Sequence, residues 1–163
     1  MSTDRMPTET TKTSPAGTSA DSDRRLFTLP TAVRDWVLLI ARVLLGVVLI
    51  AHGYQKWGMQ GFADGVEMFA GMGVPAPAVA LVFALAVEYV GGALMILGLF
   101  TPIVGLLVVL DMIGAFALVH AGAGIFVSSG GWELVAVIAL AAAAFAAVGP
   151  GRLSLDRAFV RKA

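Results

Sequence analysis

The chain alternates between long apolar runs and short polar connections. Four runs stand out: about Val33–Tyr54, Pro77–Phe100, Pro102–His120 and Trp132–Val148. Each approaches the roughly 20 residues that cross about 30 Å of hydrocarbon. In lipid every backbone N–H and C=O needs an internal partner, so such runs must be helices. The last contains AAAAFAA and has no polar face, which argues against an amphipathic surface helix. Trp36, Tyr54, Trp57 and Trp132 fall near the ends of the runs, where aromatic belts sit at the membrane–water interface. The pattern predicts an all-α transmembrane protein, an antiparallel four-helix bundle with helices at about 33–54, 77–100, 102–120 and 132–148.

The connections add detail. GLFTP between the second and third runs is a tight turn with Pro102 at a helix start. Between the first and second runs, Phe62, Val66 and Phe69 fall at i, i+4 and i+7. That spacing predicts a short amphipathic helix on the membrane surface. Residues 1–31 are rich in Ser, Thr, Pro and Asp. They bury too little apolar surface to offset ordering entropy and are expected to form a disordered cytoplasmic tail. The apolar pattern begins too late for a signal peptide. The membrane domain is then 32–157, with 158–163 as a C-terminal tail. Basic residues gather before the first run (Arg24, Arg25, Arg34) and after the last (Arg152, Arg157, Arg161, Lys162), and the loop before Trp132 has none. The bias predicts a multi-pass bacterial plasma-membrane protein with both termini cytoplasmic.

Composition agrees. The 163 residues are 58% hydrophobic and 13% charged, against about 25% charged in soluble domains. Eleven basic and eleven acidic residues cancel, so no electrostatic footprint for nucleic acid exists. The absence of cysteine excludes thiol catalysis and thiolate metal sites. Two histidines make an all-histidine metal site poor, and no metal is expected. Bis-histidine haem is disfavoured because the helices carrying His52 and His120 are expected to lie diagonally.

The ionisable groups inside the runs carry the chemistry. Counted at about 1.5 Å per residue, Arg42, Glu88 and Asp111 fall near mid-membrane and are expected to form an inner polar cluster. An unpaired charge there costs about 2.5–3.5 kcal/mol, so Arg42 is expected to meet Glu88, with Asp111 beside them. Small residues follow the acids at i+3 and i+4: Gly91 and Gly92, and Gly114 and Ala115. They mark close helix contacts. His52, Lys56, His120 and Glu133 are expected to form a second, outer polar pocket. At 100° per residue His120 lies about 180° from Asp111, on the opposite face of a regular helix. Either set has two readings, a functional pocket or charges that fix helix packing. Lys56 has the further option of snorkelling to the interface.

The segments ARVLLGVVLIAHGYQKWG, GVPAPAVA, EYVGGALMILGLFTP, GWELVAVIALAAA and GPGRLSLD together resemble the DoxX family of bacterial membrane proteins. The matching positions are Arg42, Gly46, His52, Gly53, Lys56, Glu88, Gly91, Gly92, Gly98, Thr101, Glu133, Ser154 and Asp156. The resemblance covers roughly residues 36–157. It implies an accessory subunit of a membrane redox complex, linked to quinones or thiol stress. It also implies a membrane or peripheral redox partner beside the lipid bilayer. Without cysteine, any thiol chemistry belongs to that partner. A quinone suits the apolar surroundings, with His52 and Lys56 as donors. The alternative is a non-enzymatic scaffold or small-solute carrier, since no nucleotide, thiol or nucleophile motif is present. Catalytic residues are not assignable from the sequence.

Overall fold

A computed structural model describes residues 29–59 and 61–160; the expected N-terminal tail lies almost wholly outside them. The described residues contain helices and turns and no strand. We number the helices α1 (Thr31–Trp57), α2 (Phe62–Gly71), α3 (Pro77–Leu97), α4 (Thr101–His120), α5 (Glu133–Val148) and α6 (Leu155–Val160). α1, α3 and α4 are long and apolar enough to cross a membrane; α5, at 16 residues, is shorter. α2 occupies the loop where the Phe62/Val66/Phe69 spacing calls for a helix. α6 falls where the sequence reading has only a domain end and a tail.

Local chemistry explains the boundaries. Pro77 and Pro102 sit in the first turns of α3 and α4, where a missing N–H costs nothing. α3 stops at Gly98, whose φ of 67° suits a residue without a Cβ. The Leu99 N–H reaches Leu94 O at 3.0 Å and the Gly98 N–H reaches Met95 O at 3.1 Å, the paired bonds of a glycine helix stop.

Small residues set how closely the helices approach. A Cβ at Gly46 would lie 2.5 Å from Gly92 O and from an Ile96 side-chain carbon. A Cβ at Gly105 of α4 would lie 2.7 Å from Ala142 O of α5. Only bare backbone fits at these crossings, which is how membrane helices gain close packing without a hydrophobic drive. The core between them holds Leu45, Leu49, Met95, Val104, Val108, Ala142 and Phe145. Outward faces are apolar too, with Leu44, Val90, Leu106 and Leu140 exposed, as lipid-facing surfaces require.

Two helices depart from the 3.6-residue period. α3 is π-helical over Ala86–Gly91, and α4 over Phe116–His120. A π turn carries more residues per revolution and so rotates every side chain beyond it. Such turns concentrate at functional sites.

Candidate functional site

The polar residues of the helices fall into two groups, divided differently from the sequence expectation. Arg42 does not meet Glu88. Its side chain is 1% exposed, and its guanidinium donates to Pro150 O at 2.7 Å and Leu153 O at 2.8 Å. It packs against Gly98, where a Cβ would collide with it. Arg42 therefore sits at the level where α3 ends and the chain leaves α5, and the first eleven residues of α1 run about 16 Å past that level. Glu88 is level with Gly53, whose Cβ position is 3.3 Å from Glu88 Cβ. Residues 42 and 53 are again about 16 Å apart along α1. Mid-membrane pairing fails because α1 is offset lengthwise against α3.

Around Arg42 the segment from Pro150 to Asp156 forms a clasp. Asp156 Oδ1 accepts the Phe100 N–H at 2.9 Å and Oδ2 the Thr101 N–H at 3.2 Å. The Asp156 N–H returns a bond to Gly98 O at 3.0 Å. The carboxylate thus caps the N-terminus of α4, where the helix dipole favours negative charge. It also secures Phe100, a non-glycine residue with φ of 52°. Ser154 Oγ donates to Gly151 O and accepts the Arg157 N–H. Arg152 approaches Asp35 at 3.7 Å.

The other group surrounds a cavity of about 540 Å³ at the far ends of α1 and α4. His52 and Lys56 reach it from α1, Glu88 from α3, and Asp111 and His120 from α4. Phe69 and Met72 approach from the α2 region, Leu134 and Ile138 from α5. Lys56 Nζ donates to Glu88 Oε1 at 2.5 Å, with Glu88 2% exposed. Glu88 Oε2 is buried with no hydrogen-bond partner. Asp111 and His120 border one cavity although regular geometry puts them on opposite faces, because the π turn of Phe116–His120 intervenes. The expected inner and outer layers thus exchange members: Glu88 and Asp111 join His52, Lys56 and His120, and Arg42 leaves.

Glu133 is not in the cavity wall. Its Oε1 accepts the Val127 N–H at 2.8 Å, and its own N–H reaches Ile125 O at 2.9 Å. It knits the loop before α5. Both histidines bond a backbone carbonyl through Nδ1. His52 Nδ1 bonds Val48 O at 2.8 Å and His120 Nδ1 bonds Gly130 O at 2.6 Å. A carbonyl oxygen only accepts, so each Nδ1 carries hydrogen and each neutral ring keeps Nε2 as an acceptor. Among the described residues no cluster of three or more metal-ligating side chains exists.

These features define a helical membrane protein with a ligand-sized, mostly apolar cavity holding an ion pair, a second carboxylate and two histidines. The chain belongs to the DoxX family, whose model matches residues 37–121. It is 33% identical over 132 residues to "Inner membrane protein YphA" of Escherichia coli (strain K12), covering 77% of this chain and 92% of that protein. It is 40% identical over 77 residues to "Putative oxidoreductase CatD" of Bacillus subtilis (strain 168), covering 47% of this chain and 54% of that protein. It is also 31% identical over 132 residues to an "Uncharacterized protein" of Haemophilus influenzae, covering 79% of this chain and 95% of that protein. No solved structure matches the chain significantly.

Proposed function

We propose that this protein is an accessory subunit of a membrane redox complex whose cavity receives a quinone-class molecule. The carrying observation is the cavity: about 540 Å³, within the range of small-molecule sites, apolar over most of its wall and polar where Lys56, Glu88, Asp111, His52 and His120 converge. A quinone or its reduced form needs a dry slot for its ring and hydrogen-bonding groups for its oxygens. The relative printed as an oxidoreductase supports a redox setting. The arrangement we favour is four antiparallel spans with both termini cytoplasmic. Contacts of Gly46 with Gly92 and Gly53 with Tyr89 support an antiparallel α1–α3 pair, and the basic residues at both chain ends support the orientation. The cavity then opens toward the periplasmic or outer face.

Quinone retained through purification, measured optically and by extraction, tests the site. Retention should fall at least tenfold in the His52→Ala, Lys56→Ala double variant. Unchanged retention there overturns the site.

The second reading is a scaffold or small-solute carrier. Arg42 favours it, since that buried cation bonds backbone carbonyls and holds the clasp rather than facing the cavity. Solute counterflow in proteoliposomes, without quinone retention, is the result that would favour it.

A further inference from the structure

The cavity has an unbalanced set of hydrogen-bonding groups, and the imbalance bears on which form of ligand it takes. Asp111 is 9% exposed, borders the cavity and makes no hydrogen bond among the described residues. A carboxylate offers acceptor sites only. In their neutral form His52 and His120 add two more acceptors, because their Nδ1–H groups face Val48 O and Gly130 O. On the donor side, Lys56 gives one N–H to Glu88 and keeps two, and the Gln55 amide also lines the cavity. With Glu88 Oε2 also unpartnered, the unspent capacity of the wall is weighted toward acceptors, and Asp111 is the carboxyl group that makes no hydrogen bond at all among the described residues.

We infer that the cavity selects an apolar aromatic ring bearing hydroxyl donors, the hydroquinone form, over the carbonyl-only quinone. The inference rests on the quinone-class reading above and specifies the redox form. A hydroxyl directed at Asp111 satisfies a buried acceptor. A quinone carbonyl at the same place sets oxygen lone pairs against oxygen lone pairs and leaves the carboxylate unpartnered, a loss that costs a large fraction of binding energy.

Gly114 supplies an independent handle. It borders the cavity, and a Cβ there would meet nothing within 4 Å. A leucine at this position starts from open space at the cavity wall and should take up cavity volume, and replacing a mid-helix glycine favours the helix.

The test is equilibrium dialysis of the full-length protein in nanodiscs, with empty nanodiscs subtracted. The probes are duroquinol kept reduced, duroquinone, the dimethyl ether of duroquinol, and phenethylamine. Duroquinol should bind about tenfold or more tightly than duroquinone and the ether. In Asp111→Asn, whose amide also donates, that preference should fall below about threefold. Gly114→Leu should abolish binding of duroquinol while leaving the melting profile intact. Duroquinone binding as tightly as duroquinol overturns the donor preference but leaves the quinone-class cavity standing. Phenethylamine binding more tightly than duroquinol replaces the hydroxyl donor with a cation. Absence of binding by all four probes removes the quinone-class reading itself. A preference undiminished in Asp111→Asn, or binding undiminished in Gly114→Leu, removes the placement beside Asp111.

Discussion

Lys56 and Glu88 should behave as an energetic unit, and Arg42 should be independent of both. Glu88 is 2% exposed and Lys56 23%. Lys56→Met strands a buried carboxylate, which costs about 3 kcal/mol by comparison with broken buried pairs. Glu88→Leu costs less, about 1 kcal/mol, because the partly exposed lysine can turn toward the interface. The double variant replaces the pair with apolar groups and should lie within about 1 kcal/mol of the parent. The coupling energy of this cycle is then about 3–5 kcal/mol. Arg42→Met removes two charge-assisted bonds of 2.7 and 2.8 Å and should cost about 3 kcal/mol. Since Glu88 is level with Gly53, about 16 Å along α1 from Arg42, their effects should add within about 0.5 kcal/mol. Unfolding in mixed micelles, followed by helical circular dichroism during sodium dodecyl sulfate titration, measures all three quantities. A coupling above about 1 kcal/mol between Arg42 and Glu88, or none between Lys56 and Glu88, would refute the assignment of partners.

Other outcomes follow from the same geometry. Gly46→Leu should destabilise by about 1–3 kcal/mol, since its side chain must displace Gly92 and Ile96; the same unfolding titration reads it. Asp156→Ala should lose the cap on α4, costing about 1–2 kcal/mol, with faster amide exchange at Phe100 and Thr101 and unchanged exchange in mid-α1. Glu133→Gln should speed exchange of the Val127 amide by weakening its bond, without changing ligand binding. A loss of binding in Glu133→Gln would return that residue to the cavity.

The helical class, the apolar runs and the polar candidates were legible because lipid restricts the backbone to few solutions. Gly92, four residues after Glu88, also marked a close approach, against Gly46, whereas Gly114 after Asp111 did not: a Cβ there meets nothing within 4 Å. What was not legible has specific causes. Arg42's partners are main-chain carbonyls of Pro150 and Leu153, and a carbonyl leaves no mark in a sequence. His120 and Asp111 were placed on opposite faces by a constant rotation per residue, which the π turn breaks. Glu133 has the position of a pocket residue, yet its side chain bonds the Val127 N–H six residues earlier in the chain. The SLD segment was recognised as a pattern, but its role as the cap of α4 depends on a turn 55 residues away that only folding brings near.

The clasp also imposes an order on biosynthesis. Arg42 lies in α1, which leaves the ribosome before the other described helices, while its nearer acceptor follows 108 residues later. At ordinary elongation rates that interval is roughly 5–20 s. Throughout it, a buried-to-be guanidinium must find water, head groups or a transient companion. Asp156, which secures the α3–α4 turn, emerges later still. The nascent helices are thus held unfinished until the segment 150–156 arrives. Truncation near residue 149 would leave every apolar run present and Arg42 permanently without its two carbonyls, a state that membrane quality-control proteases are suited to recognise.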